Sequence, residues 1–156
     1  MAFGTNTPPT VSGPITLTVP EGTAQFNINP TINAFDPDFV ILRVVDMPEA
    51  LPEGLTWDAQ FNTFVFDGTN AAYDSLAVGQ VQVLQVVYAI TDGVTVVPHM
   101  LQITVTGTND QSIVTGVVAA EISEDAALVQ GQMTVADVDS GEAALSYSLE
   151  RRISDR

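Results

Sequence analysis

Lysine and cysteine are both missing from this chain of 156 residues, and histidine and tryptophan occur once each, as His99 and Trp57. Without cysteine there is neither a disulfide framework nor a thiolate metal site, which fits a cytosolic protein and equally a secreted one held together by other means. Apart from His99, the only basic side chains are Arg43, Arg151, Arg152 and Arg156, and the formal net charge is -15. A surface of that sign repels phosphate backbones and anionic membranes, so nucleic-acid and membrane-surface binding are poor readings. No apolar run approaches the roughly 18 to 20 residues of a membrane span. The start, MAFGTNTPPT, has neither the basic nor the apolar region of a secretory signal, and because residues 4–13 match an internal stretch of the chain, Met1 is expected to be an imposed or fragment start.

The single histidine also leaves little for catalysis. His99 follows Pro98 near the start of a strand, is expected at the surface or rim, and has no Ser or Cys partner that spacing places beside it. Carboxylates can pair as a glycosidase dyad, but here they fall in turns rather than in an evident cleft. The expectation is that the chain is not an enzyme.

What the chain has is Val, Ile, Leu, Phe and Thr in short alternating runs, with Gly and Pro recurring roughly every eight to twelve residues. Ile15, Leu17 and Val19 alternate with Thr16 and Thr18, a half-buried strand. Further strands are predicted over 24–33, 40–45, 55–57, 63–66, 80–91 and up to Thr106, the last with Leu101, Ile103 and Val105 inward. Apolar parity shifts between Val83 and Leu84, predicting a bulge or burial on both faces. Asp92-Gly93 is a hairpin signal, and the stretch 67–79 has room for one helical turn. Seven strands in this order predict an all-β, immunoglobulin-like Greek-key sandwich. Tyr73 stands where such folds place a corner tyrosine, and Trp57 and Phe64 read as core residues.

The pattern then begins again. A shift of 103 positions puts Gly4-Thr5-Asn6 on Gly107-Thr108-Asn109, Val11-Ser12-Gly13 on Val114-Thr115-Gly116, and Glu21 on Glu124; a shift of 101 puts Ala34–Asp38 on Val135–Asp139. Self-similarity at a fixed period marks a modular array. Residues 1–10 read as the end of a preceding linker, 11–108 as one complete module, and 109–156 as the first part of a second with an exposed tail. In that second part, strands are expected over 117–123, 129–135 and 145–149, with an acidic loop over 136–142.

Because successive loops of a sandwich alternate between its two ends, the strand count assigns each acidic turn to a pole. Glu21 and Asp74 fall at the pole where the chain leaves the first module through Asn109 and Asp110, and Asp137 and Asp139 fall at the facing pole of the second. Calcium takes six to eight oxygens from carboxylates, amide and backbone carbonyls and water, and those six residues offer that chemistry with no neighbouring cation in sequence. The opposite pole gathers Asn6, Asp36, Asp38 and Asp92; Thr7 stands there where Asp110 stands at the joint, so this second site is expected to be weaker. Singly, each element has a plainer reading: Asp36-Pro37-Asp38 a turn, Asp92-Gly93 a hairpin, Glu21 a solvated side chain.

The motifs TGTND (106–110), SED (123–125), ADVDSGE (136–142) and the string AAYDSLAVGQ, YAITDG and ITVTGTND resemble the VCBS and cadherin-like repeats of giant bacterial surface adhesins and RTX-type exoproteins. The resemblance implies calcium-rigidified extender modules, secreted by a type I system to the extracellular surface, that hold an adhesive tip away from the cell. It gives Asn109-Asp110 the linker part, Glu21 the first acidic ligand, Asp137 and Asp139 the paired acids, and Asp92 the late acid of its own module. Implied partners are neighbouring modules of the same chain and, through other domains, surface glycans or proteins. Three departures stand out. AFDPDF lacks a glycine-rich continuation, Thr7 replaces the linker acid, and the glycine-rich nonapeptides of calcium rolls are missing.

Two functions from different classes follow. One is a calcium-stiffened structural extender. The other is a glycan- or protein-binding module using loops at one pole, for which Trp57 beside Asp58 is the one aromatic–acid pairing that suggests a sugar platform.

Overall fold

The computed structural model describes residues 5–116 and 133–139. In chain order the strands are β1 (Thr10–Val11), β2 (Ile15–Pro20), β3 (Phe26–Ile28), β4 (Ala34–Phe35), β5 (Arg43–Val45), β6 (Leu55–Asp58), β7 (Thr63–Phe66), β8 (Val81–Thr91), β9 (Val96–Thr106), β10 (Ile113–Gly116) and β11 (Met133–Ala136). Two sheets make a Greek-key sandwich of the immunoglobulin-like kind: β2-β9-β8-β5 on one side and β3-β7-β6 on the other. β2 runs parallel to β9, from Ile15 opposite Leu101 to Pro20 opposite Thr106, and the other pairings in these sheets are antiparallel.

The period-2 pattern explains the core. Leu84, Val86, Tyr88 and Ile90 of β8 and Leu101, Ile103 and Val105 of β9 face inward and are buried against Phe64 and Phe66 of β7. Aromatic edges knit the layers: Trp57 meets Phe64 at 5.0 Å and Phe64 meets Tyr88 at 5.3 Å between ring centroids, both tilted toward the T-shaped geometry that ring quadrupoles favour. Fully burying each such ring is worth about 1.5–3 kcal/mol. Tyr73 is buried, and its hydroxyl donates to the Glu53 carbonyl at 2.5 Å, so it ties the β7–β8 crossing to the loop before β6. Loss of water raises the pKa of its phenol, with the Glu53 and Asp67 charges adding to the effect.

Several expectations are corrected. No bulge interrupts β8: its register with β9 runs unbroken from Val81 opposite Thr106 to Thr91 opposite Val96. The apparent parity shift arises because Val81, Val83 and Val87 are apolar yet point outward. His99 is buried, not at the rim, since it shares the inward parity of Leu101 and packs its ring 5.2 Å from Tyr88; burial lowers its pKa. The strand expected over 24–33 shortens to β3, because the Asn29 side chain accepts the Thr31 N–H and hydroxyl, both at 3.0 Å, and turns the chain. The strand expected over 40–45 shortens to β5, after a loop in which Phe39 adopts φ 58°. The stretch 67–79 forms turns rather than a helical turn.

The short pairs outside the sandwich repeat one another. Thr10 pairs with Phe35 and Val11 with Ala34; Ile113 pairs with Ala136 and Val114 with Val135. These are the positions that the 103- and 101-residue shifts superpose. The strands expected over 117–123 and 145–149 lie outside the described residues, as does most of that over 129–135.

Candidate metal centre at the strand-exit joint

Where β9 ends, the chain crosses the pole that also holds the turn after β2. Gly107 makes this possible, since a Cβ there would sit 2.2 Å from the carbonyl oxygens of both Leu76 and Ala77. Its N–H donates to the Gln80 carbonyl at 2.9 Å, fastening the strand exit to the β7–β8 crossing. Glu21 follows β2 directly, and its N–H donates to the Thr106 carbonyl at 2.9 Å. Its carboxylate turns back over the exit: Oε1 accepts a short bond from the Thr108 N–H and a second, at 3.1 Å, from the Thr108 hydroxyl.

The next residues reach the acidic loop after β11. The Asp110 N–H donates to Asp139 Oδ2 at 2.9 Å, and the Ser112 hydroxyl donates to Asp137 Oδ2 at 2.5 Å. Within the loop, the Asp139 N–H donates to Asp137 Oδ1 at 3.0 Å. The side chain of Asn109 donates to the Asp110 carbonyl at 2.7 Å, which leaves its own amide oxygen for another partner.

Electrostatics gives the cluster its character. Partial burial raises the Asp110 pKa, and the negative charges of Asp139, Glu21, Asp74 and Asp137 raise it further, in that order. Asp137 is held below the usual carboxylate range by the Ser112 hydroxyl and then by the Asp139 N–H. Glu21 and Asp139 are buried, and among the described residues Glu21 Oε2 and Asp139 Oδ1 have no hydrogen-bond partner. A buried carboxylate oxygen left without a donor is costly. Glu21, Asp74, Asp137 and Asp139 thus lie within electrostatic reach of Asp110, which follows Asn109 in the chain, and Asp74 is exposed.

The opposite pole repeats part of this wiring. Thr7 donates its N–H to Asp38 Oδ2 at 2.6 Å, as Asp110 does to Asp139, and the Asp38 N–H donates to Asp36 Oδ1 at 2.8 Å, as Asp139 does to Asp137. Asp36 is buried, and its Oδ2 has no hydrogen-bond partner among the described residues. Asp92 is differently placed: it accepts the Thr95 N–H at 2.6 Å, the Asn6 amide at 2.9 Å and the Val94 N–H at 2.7 Å, which together hold its pKa low. Both oxygens of Asp92 thus accept hydrogen bonds, unlike those of Asp36.

All the donors are oxygens, the set that hard divalent cations prefer. Among the described residues no three His, Cys, Asp or Glu side chains are gathered tightly enough to hold a metal by themselves. An ion at the joint would therefore complete its shell from Asn109, backbone carbonyls and water. The parts that sequence reasoning missed are the clamps Thr108 and Ser112; their signal is a hydroxyl residue on either side of Asn109-Asp110, spaced to reach carboxylates on two turns.

No family model matches the chain, and no curated protein does. Among solved structures, a SusE-like, surface-located polysaccharide-binding protein from the Bacteroides thetaiotaomicron heparin utilisation locus is similar at 16% identity and a TM-score of 0.39, over 65% of this chain. An endo-fucoidan hydrolase of glycoside hydrolase family 107 is similar at 16% identity and a TM-score of 0.38, over 64% of this chain. The chain spans only 16% and 14% of the lengths of those two proteins. Likeness this slight carries no argument about activity. No helix among the described residues is long and apolar enough to cross a membrane.

Proposed function

We propose that this chain is an extracellular structural module whose exit joint binds calcium, and that the ion stiffens the connection to the segment that follows. The observation that carries the reading is the pair of buried, unpartnered carboxylate oxygens, Glu21 Oε2 and Asp139 Oδ1. They belong to two turns more than a hundred residues apart, and both carboxylates raise the pKa of Asp110 between them. Glu21, Asp110, Asp137, Asp139 and Asn109 would hold the ion, with Asp74 at the margin. Bound there, calcium would cancel repulsion among carboxylates and convert a strap held by a few hydrogen bonds into a fixed elbow. Asp36, Asp38 and Asn6 supply the same chemistry at the other pole, with Asp92 committed to its own loop.

The test is thermal unfolding of the whole chain in chelator and in millimolar calcium, with magnesium as the control. Extracellular calcium modules bind at roughly 10⁻⁴ to 10⁻³ M, and ligand at a hundredfold excess over the dissociation constant adds about 2.7 kcal/mol. The expected result is a melting temperature several degrees higher in calcium. Coincident curves in chelator and in calcium remove the reading.

A second reading, recognition of a glycan or protein by one pole, is favoured by the loop after β4. Phe39 is 84% exposed, its ring meets that of exposed Phe35 at 5.9 Å, and Ile41 is exposed beside it. The aromatic platform therefore shifts from Trp57, which is packed on Phe64, to Phe35 and Phe39. Binding on a glycan array that disappears in Phe39→Ala, at unchanged melting temperature, would support it; an array without signal counts against it.

A further inference from the structure

The outer face of the β2-β9-β8-β5 sheet is unlike the rest of the molecule. β2, β8 and β9 contain no charged residue, and His99, their one titratable base, points inward. Outward from β8 point Val81, Val83, Gln85 and Val87; outward from β9 point Val96, Pro98, Met100 and Gln102; Thr16 and Thr18 flank them on β2. Val81, Val83, Val87 and Val96 are each between 51% and 64% exposed. Scattered exposed valines need no explanation, but here they fall in two apolar runs, Val81 with Val83 on β8 and Val87 with Met100, Pro98 and Val96 across β8 and β9, parted by Gln85 and Gln102. Arg43, at the rim on β5, is the one charge that these four strands contribute to the face, in a chain whose net charge is -15.

We infer that this face is where two copies of the chain associate, face to face, about a two-fold axis. Charge decides the occupant. Two molecules of net charge -15 repel one another through most of their surface, and this sheet is where they can approach without bringing carboxylates together. A basic partner would be expected to seek the acidic poles instead.

The face also suits an isologous contact. β8 and β9 are each 11 residues long, so at about 3.3 Å per residue and about 4.8 Å between strands they offer about 350 Å² per copy, and the shorter β2 and β5 bring the face to about 500 Å². A standard stable interface uses about 800 Å² per partner, so the dimer is weak and reversible. Gln85 donates to Gln102 at 2.9 Å close to the middle of the ladder. Gln85 keeps one further N–H and its carbonyl oxygen, and Gln102 keeps both N–H groups and a lone pair, so the pair can bond to its own copy across the two-fold axis and fix the register.

The experiment is sedimentation velocity of the whole chain over a wide concentration range, at low and high salt, in chelator and again in calcium. The expected result is a concentration-dependent monomer–dimer equilibrium that tightens as salt screens the repulsion. Val83→Glu/Val87→Glu should weaken it at least about tenfold while the melting temperature is kept, and Phe39→Ser/Ile41→Ser should leave it unchanged. Should the double variant unfold, Val87→Glu alone carries the same expectation. A wild type that stays monomeric throughout overturns the inference, and so does a dimer that survives both charge variants or is lost only in the Phe39→Ser/Ile41→Ser variant. The dimer does not depend on the ion, so its presence in chelator and any calcium effect on melting are read separately.

Discussion

Asp110 is the residue on which the joint turns. Its carboxyl is raised above its ordinary pKa by partial burial and by Asp139, Glu21, Asp74 and Asp137, in that order. An acid whose folded pKa is raised contributes stability below its unfolded value, near pH 3.8, that is lost as pH rises through the folded pKa. Without a cation, therefore, the charged form of Asp110 works against the joint at neutral pH. Asp110→Asn should raise the melting temperature in chelator and shrink the calcium-induced rise, two changes of opposite sign in one variant. Melts of both proteins with and without chelator check this; a variant that is less stable in chelator contradicts the repulsion. At this scale the sequence is partly legible. The acids Glu21, Asp137 and Asp139 can be placed by counting strands, whereas the burial that leaves Glu21 Oε2 unpartnered depends on the Thr108 strap folding over it.

At the scale of elements, the β9 exit and the β7–β8 crossing behave as one unit because Gly107 lets two backbones touch. Gly107→Ala forces a Cβ into the Leu76 and Ala77 carbonyls, which cannot move without opening the Gly107–Gln80 bond. The expected cost is about 1–3 kcal/mol, seen as a lower denaturation midpoint, with weaker calcium response because Asn109 and Asp110 lose their anchor. An unchanged midpoint would mean that the crossing is free to shift. Strand identity was readable where alternation was clean, as in Leu101, Ile103 and Val105. It misled on β8, where outward Val81, Val83 and Val87 imitate core residues, and on His99, whose neighbour Pro98 suggested a rim while the pleat set it inward. Strand ends were lost where a side chain competed for the backbone, as Asn29 does after β3.

For the whole molecule, seven strands and their order were legible because the β-period is short and turn residues separate the runs. The internal repeat was legible too, and it reappears as hydrogen bonds: Thr7 to Asp38 and Asp110 to Asp139 are the same contact made twice. What one sequence could not convey is which face of the sandwich remains uncharged, since that emerges only when β2, β8 and β9 are laid side by side. The account as a whole rests on carboxylates from separated turns sharing one divalent ion. The most direct test is calorimetric titration of calcium into the whole chain and into Glu21→Gln/Asp139→Asn. The account predicts saturable binding in the wild type, with a site lost or weakened at least about tenfold in the variant; equal binding by both proteins, or none by the wild type, would contradict it.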